Sequence, residues 1–291
     1  MSSIREIVSR IDSVAATQQI TKAMKLVAAA KLSKVQQKLL HLRPYAEKLS
    51  AILAHVIAGT DQPLARRYTQ ERQLQKLLLV VMTSDKGLCG SFNKNVFKKV
   101  IAHTHQVADL YSAQIDLLVI GKKAWSFFKK QDYRLITDYT ALSHNLSFEP
   151  ASQAATSIID TFLNHTYDRV ELVYTHFISA VSQAVQVTQF LPIANTTPIL
   201  QTNIIDYIYE PSKVVLVEEL ISRLLKIQFY RALIESVASE HGARLTTMSK
   251  ATDSAEELLK SLRISYNRSR QAAITREISE IVAGAEALSN C

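Results

Sequence analysis

Apolar residues in the last third of the chain recur with helical spacing. Alternating steps of three and four residues from Val217 to Ala273 meet apolar side chains at thirteen of seventeen positions. The stripe then moves over by one residue and continues from Ile274. No proline follows Pro211 to interrupt it. This is coiled-coil periodicity over about ten heptads, and it predicts one long helix over residues 212–288.

A second stripe of the same spacing lies near the beginning of the chain. Steps from Ala28 meet only apolar residues as far as Val56, and a shorter stripe occupies the first turns. The polar segment TQQITK at residues 17–22 separates the two stripes, and Pro44 inside the second removes one backbone hydrogen bond. We expect a single helix over residues 3–57, bent at the proline.

The length of the C-terminal helix limits where it can lie. At about 1.5 Å per residue, a helix over residues 212–288 is roughly 110 Å long. A compact globule of this chain length has a diameter of roughly 50 Å, so the helix cannot fit inside it. We therefore expect the two terminal helices to pair as an antiparallel coiled coil that projects from a globular body, since one leads into that body and the other leads out.

Apolar runs rich in branched residues alternate with helical stretches in the middle of the chain. The runs predict buried strands at residues 75–85, 114–121 and 169–177. The helical stretches between them are residues 93–111, 122–130 and 149–165. Strands that alternate with helices form a mostly parallel sheet, and the alternating segment 185–193 is typical of an added edge strand.

The predicted fold is thus of the α/β class, with a long antiparallel coiled coil of the N- and C-terminal helices and a Rossmann-like body that holds a mostly parallel sheet. The predicted domains are an N-terminal coiled-coil helix, an α/β body and a C-terminal coiled-coil helix, at residues 1–57, 58–210 and 211–291.

Composition narrows the class of protein. Of the 291 residues, 47% are hydrophobic and 21% are charged, which excludes a disordered chain or a collagen. The two cysteines, Cys89 and Cys291, lack metal-ligand spacing and indicate a reducing compartment. No apolar run approaches the roughly 20 residues that span a bilayer, and the N-terminus has no signal-peptide pattern. We expect a soluble or peripheral protein.

The segment TSDKGLCGSFN at residues 83–93 is the sharpest local motif. A glycine-bearing turn between a strand and a helix could hold phosphate on backbone amides, but neither glycine-rich phosphate-loop spacing is present. A tight structural turn is favoured, with Asp85 as a capping residue and Cys89 as an inert thiol. The later Gly121 is read as a helix start. No histidine or carboxylate constellation suggests a catalytic, cofactor or metal site.

Charge on the N-terminal helix is one-sided. The chain carries a formal charge of +8, and no acidic residue lies between Asp12 and Glu47. The basic residues in that interval are Lys22, Lys25, Lys31, Lys34, Lys38 and Arg43. Either an acidic partner or a solvated face explains them equally well. A nucleic-acid-binding coiled coil is the alternative, although here the basic residues overlap the apolar stripe instead of preceding it.

Four segments of the chain resemble one protein family, in that family's order. They are IREIVSRIDSVAATQQITKAMKLVAAAKLSKVQ, TSDKGLCGSFN, DYIYEPS and SRQAAITREISEIVAGAEAL. Together they are similar to the gamma subunit of F-type ATP synthase. The resemblance implies a non-catalytic rotor shaft that couples proton-driven c-ring rotation to ATP synthesis or hydrolysis at the beta subunits. It implies three alpha and three beta subunits, an epsilon subunit and the c-ring as partners, and no cofactor.

The resemblance also assigns contact residues by position. Those expected to face the acidic loops of the beta subunits are Met24, Lys25 and Lys31. Those expected to make polar contacts with beta-subunit loops near the end of the shaft are Arg270, Gln271 and Thr275. The foot expected to meet the c-ring and epsilon comprises Asp206, Tyr207, Tyr209 and Glu210. The chain begins directly with the helix, without a transit-like extension, which favours a bacterial protein over the alternative of a processed organelle protein. With the resemblance, we expect a peripheral protein on the cytoplasmic face of the bacterial inner membrane.

Overall fold

The computed structural model describes residues 4–58, 67–143, 146–193 and 213–289. The helices are α1 (Ile4–Ala58), α2 (Phe92–Tyr111), α3 (Lys122–Phe128), α4 (Phe148–Leu163) and α5 (Lys213–Ser289). The strands are β1 (Lys76–Met82), β2 (Gln114–Ile120), β3 (Arg134–Ile136), β4 (Arg169–Phe177) and β5 (Gln183–Leu191). Both long terminal helices are thus confirmed.

The chain divides into two compact units. The helical unit combines Met1–Ala28 with Leu245–Cys291, and the sheet unit is Ala29–Arg244. The predicted domain boundaries fall elsewhere, at residues 57/58 and 210/211, beside or within segments outside the described residues. That three-part division therefore stays a prediction.

Within the helical unit, α1 and α5 run antiparallel. The Lys25 Nζ atom donates to the Ser249 hydroxyl at 3.0 Å, and the Thr252 hydroxyl donates to that of Thr21 at 3.0 Å. Residue numbers therefore fall along α5 as they rise along α1. The buried side chains of this unit are the apolar ones that lie on or beside the predicted stripes: Ile7, Ala28, Met248, Ala255 and Leu259. Burial of this kind is what holds two amphipathic helices together.

Among the described residues of the sheet unit, five strands form one sheet in the order β3-β2-β1-β4-β5. The first four are parallel to one another, and β5 pairs antiparallel with β4. Residues Leu77–Met82 of the central strand β1 are at most 1% exposed, which explains their unbroken apolar sequence. The mostly parallel sheet and the added edge strand are confirmed. The strand β3 was not predicted, because three residues carry no periodicity.

Two histidine–carboxylate pairs connect opposite faces of β4 to helices. His103 of α2 contacts the Glu171 carboxylate at 2.5 Å, and His176 contacts that of Glu235 of α5 at 2.6 Å. Glu171 and His176 are five positions apart in a strand, so their side chains point to opposite faces. Arg231 also donates to Glu235, at 2.9 Å. These contacts fix α5 against the sheet through a carboxylate that is only 1% exposed.

One carbonyl group connects both long helices inside the sheet unit. The Lys38 ammonium of α1 donates to the Leu146 carbonyl at 2.6 Å, and the Tyr230 hydroxyl of α5 donates to the same oxygen at 3.3 Å. The Tyr230 ring also meets the Phe148 ring edge-on, at a centroid distance of 5.5 Å. The segment just before α4 is thus one place where both α1 and α5 are bound to the body of this unit.

Replacing Gly121 by alanine should strongly destabilise the chain. Gly121 has a φ of +96°, and a Cβ there would lie 2.3 Å from the Thr83 carbonyl oxygen, which is fixed backbone. We expect the free energy of unfolding to fall by about 3 kcal/mol or more in urea titrations of the purified chain. Gly87→Ala is the control, because its Cβ would meet only Lys123 at 3.8 Å. Equal unfolding midpoints for the two variants would contradict this account.

Candidate functional site

The turn at residues 83–93 contacts α3 and the segment before α4 through Asp85. One Asp85 carboxylate oxygen accepts the backbone N–H of Lys122 at 3.1 Å, and the other accepts the Ser143 hydroxyl at 2.9 Å. Asp85 therefore caps the first turn of α3, where backbone N–H groups lack helical partners. The capping prediction for Asp85 is confirmed, and so is the prediction that Gly121 precedes a helix.

The polar groups of this turn bind one another. The Asn93 amide oxygen accepts the backbone N–H of Ser84 at 3.1 Å, and its amide nitrogen donates to the Cys89 sulfur at 3.2 Å. The Cys89 thiol is 2% exposed. The side chains of Ser84, Cys89 and Asn93 thus hold the turn in its own shape, which favours the structural reading of the motif over a phosphate loop.

Two of the predicted beta-contact residues lie in the helical unit on α1. Met24 and Lys25 are both half-buried, at the edge of the contact between α1 and α5. The hydrogen bond to Ser249 holds the Lys25 ammonium group beside α5. The structure thus presents a thioether and a positioned cation side by side on one part of the pair.

The other predicted contact residues form a second patch on α5. Arg270, Gln271 and Thr275 are all exposed. Ser249, which lies opposite Lys25, precedes Arg270 by 270 − 249 = 21 residues, or about 30 Å along the helix. The structure therefore places the predicted contacts of the helical unit in two separate patches.

The C-terminal part of α5 carries an uncovered apolar stripe. Every residue from 270 to 285 is exposed. Large apolar side chains recur there at helical spacing, with exposed fractions of 47–69%: Ile274, Ile278, Ile281 and Val282. This is the continuation of the stripe that the sequence predicts, and nothing in the part of the chain that the structure describes covers it. Apolar surface of this kind marks a contact with another molecule.

The third residue predicted on α1 belongs to the sheet unit. Lys31 is exposed and borders a cavity of about 320 Å³ between α1, α5 and the turn at residues 83–93. The α5 residues in its wall are Val237, Glu240, His241 and Arg244. Sequence reasoning did not single out these charged α5 residues, although the Glu240–Arg244 spacing of four residues is that of a helical ion pair.

His241 is held in its neutral form by its surroundings. Burial, together with the positive charges of Arg244 and Lys31, lowers the pKa of His241 to about 4. An Arg244 guanidinium nitrogen lies 3.3 Å from the ring Nδ1 atom. Because a guanidinium only donates, Nδ1 accepts, and Nε2 carries the proton of the neutral ring.

Three further observations concern the predicted foot, metal binding and membrane spans. The predicted foot residues Asp206, Tyr207, Tyr209 and Glu210 lie outside the described residues. Among the described residues, no cluster of histidine, cysteine or carboxylate side chains has the make-up of a metal site. None of the described helices is long and apolar enough to span a bilayer.

The depressed pKa of His241 predicts a specific loss of stability in acid. The unfolded chain binds a proton at this histidine near pH 6.5 and the folded chain only near pH 4, so stability falls as pH drops through that window. Relative to a His241→Gln variant, the parent should lose about 2 kcal/mol of unfolding free energy between pH 8 and pH 5. Urea titrations at several pH values measure it. Parallel stability curves for the two proteins would refute the assignment.

Comparison with known proteins places the chain in a family. A family model described as ATP synthase matches residues 3–288. The ATP synthase gamma chain of Amoebophilus asiaticus (strain 5a2) is 64% identical over 289 residues, which cover 99% of this chain and 100% of that one. The ATP synthase gamma chain of Cytophaga hutchinsonii is 48% identical over the full length of both proteins.

Solved structures share the fold. A chain of the Euglena gracilis mitochondrial ATP synthase, in a structure of OSCP, F1 and c-ring, superposes with a TM-score of 0.65 at 22% identity. The match covers 98% of this chain and 94% of that one. A chain of the Tetrahymena thermophila central stalk and c-ring gives a TM-score of 0.57 at 24% identity, with 80% and 99% coverage. With its full-length relatives, this shows that the chain belongs to the ATP synthase gamma chain family.

Proposed function

We propose that the chain is the central-stalk rotor subunit of an F-type ATP synthase. In this role it couples proton-driven rotation of the c-ring to ATP synthesis or hydrolysis at the beta subunits. The observation that carries the proposal is the match to gamma chains from end to end, at up to 64% identity among the relatives described above. The nucleic-acid alternative has no support from these relatives.

The partners are three alpha subunits, three beta subunits, an epsilon subunit and the c-ring. A ring of three identical beta subunits has threefold symmetry, whereas a pair of different helices has none. The helical unit therefore presents a different face to each beta subunit at any one angle. A face that binds one nucleotide state better than another shifts the population of that state, and rotation passes the preference from one subunit to the next.

The contact residues divide between the two patches of the helical unit and the sheet unit. Met24 and Lys25, with Lys31, face acidic loops of the beta subunits, to which the basic residues of α1 are complementary. The exposed group Arg270, Gln271 and Thr275 makes polar contacts with beta-subunit loops near the end of the shaft. The uncovered stripe from Ile274 turns toward the inside of the ring, and the foot Asp206, Tyr207, Tyr209 and Glu210 meets the c-ring and epsilon.

The chain itself is non-catalytic. Asp85 and Cys89, the carboxylate and thiol of the turn at residues 83–93, serve as a helix cap and a buried turn residue. Phosphoryl transfer needs a metal-bound nucleotide in a site that positions it, and the beta subunits supply that site. Binding to the c-ring makes the chain a peripheral protein on the cytoplasmic face of the bacterial inner membrane.

Co-assembly tests the proposed role directly. A tagged chain, expressed with the alpha and beta subunits of the same organism, should purify as a complex that hydrolyses ATP, while the chain alone should have no ATPase activity. Subunits are identified by mass spectrometry and activity by phosphate release. A chain that purifies without alpha and beta, or that hydrolyses ATP alone, would exclude the role.

The Met24→Lys variant should couple poorly. The new ammonium group would add an ion pair with the acidic loops at one rotor angle, worth about 0.5–1 kcal/mol, and would hold the shaft there. We expect proton-driven ATP synthesis in membrane vesicles to fall about 2–5-fold at an equal proton gradient. Met24→Leu keeps the size without the charge and should behave as the parent. Equal synthesis rates for both variants would show that the contact is wrongly assigned.

A further inference from the structure

The cavity of the sheet unit is strongly cationic. It measures about 320 Å³, and the described residues that border it all belong to Ala29–Arg244. Two carboxylates, Asp85 and Glu240, lie in its wall. Five cationic side chains border it: Lys31, Lys34, Lys38, Lys86 and Arg244.

The two carboxylates are already engaged by groups other than the lysines. Glu240 accepts a hydrogen bond from the Arg244 guanidinium at 2.7 Å. The two carboxylate oxygens of Asp85 accept hydrogen bonds from the Lys122 backbone N–H and the Ser143 hydroxyl. Two negative charges against five positive ones still leave an excess of positive charge around the cavity.

Three of the ammonium groups are available to a ligand. Lys38 donates to the Leu146 carbonyl, and Arg244 donates to the carbonyls of Lys86 and Gly87 as well as to Glu240. The ammonium groups with no hydrogen bond or ion pair to any described residue are those of Lys31, Lys34 and Lys86. Like charges gathered around one concave space repel one another, and a multivalent anion removes that repulsion.

The positive charges around the cavity also affect His241, which lies in its wall. The positive charges of Arg244 and Lys31 contribute, after burial, to the low pKa of His241. The imidazole is thus neutral at pH 7 and keeps a proton on Nε2 that it can donate. A neutral histidine in a wall with three ammonium groups leaves the cavity's positive charge to the lysines, which favours acceptors that carry several negative charges.

We propose that this cavity binds a small polyanion of the phosphate class, either diphosphate or the phosphate chain of a nucleotide. Its volume lies at the lower end of the roughly 300–1,000 Å³ typical of small-molecule sites, which favours a compact anion. Lysine ammonium groups bind phosphate oxygens as point charges and need no bidentate geometry. The cavity shares Lys31 with the proposed beta-subunit contact, but Lys34 and Lys86, which also border it, are not among the predicted contact residues.

Proton NMR of the full-length chain at pH 7 and low salt tests the proposal. Adding diphosphate should move the His241 ring signal in a saturable way, because the anion changes the field at that ring. The signal is identified by its loss in His241→Gln. Parallel titrations with ATP and with diphosphate, both without magnesium, show which of the two sources of phosphate oxygens binds more tightly.

A pair of charge-matched variants tests the location. Lys34→Gln with Lys86→Gln removes two of the available ammonium groups and should weaken diphosphate binding about tenfold. Lys94→Gln with Lys98→Gln removes the same charge from exposed positions of α2 outside the cavity and should leave the affinity unchanged. Lys31 is left intact, so the predicted beta contact does not enter the comparison.

Three results would overturn the proposal. One is a His241 signal that stays fixed in millimolar diphosphate and ATP. Another is an equal loss of affinity for diphosphate in the two double variants, which would show that the anion responds to the net charge of the chain and not to the cavity. The third is a signal that moves only with an acidic peptide such as oligoglutamate, which would make the cavity a protein-docking surface.

Discussion

The inward apolar stripe shared by α1 and α5 is the constraint on which the helical unit depends. Each large apolar side chain buried there, such as Ile7, Met248 or Leu259, contributes about 1.5–3 kcal/mol, whereas an exposed ion pair contributes about 0–1 kcal/mol. The buried apolar contacts between α1 and α5 therefore hold the helix pair together. Its outer face is free to make weak contacts that exchange from one partner to another. A shaft that turns against a ring needs this difference, because a strong outer contact would hold it at one angle.

The sheet unit fixes its long helices by a different means. Charged side chains on α5 enter buried positions, and each is paired: Glu235 with His176 and Arg231, and Glu240 with Arg244. An unpaired carboxylate at such a position would cost several kcal/mol, so these pairs specify where α5 sits on the sheet. At the cavity, Arg244 pairs with Glu240 in this way, whereas Lys31, Lys34 and Lys86 border the same space without being its ion-pair partners.

The sequence predicts the long helices and the parallel sheet well because their signals are long or strongly apolar. The stripe from Val217 covers many turns, and Leu77–Met82 is an unbroken run of apolar and branched residues that favours a buried strand. The three-residue strand β3 has no such signal. The cavity was missed for another reason: its wall combines Lys31, Asp85 and Arg244, which only the folded chain brings together. The predicted contacts at Met24 and Arg270 rest on the resemblance, since apolar periodicity indicates which face of a helix is buried and does not identify a partner.

Rotation of the chain within its complex is the central claim, and a single-molecule measurement tests it most directly. A Lys98→Cys variant places a reactive thiol on the exposed face of α2, where a bead or gold particle can be attached. With the alpha and beta subunits fixed to a surface, the particle should turn in one direction during ATP hydrolysis and pause at three equally spaced angles. A particle that stays still while the same molecules hydrolyse ATP would contradict the account.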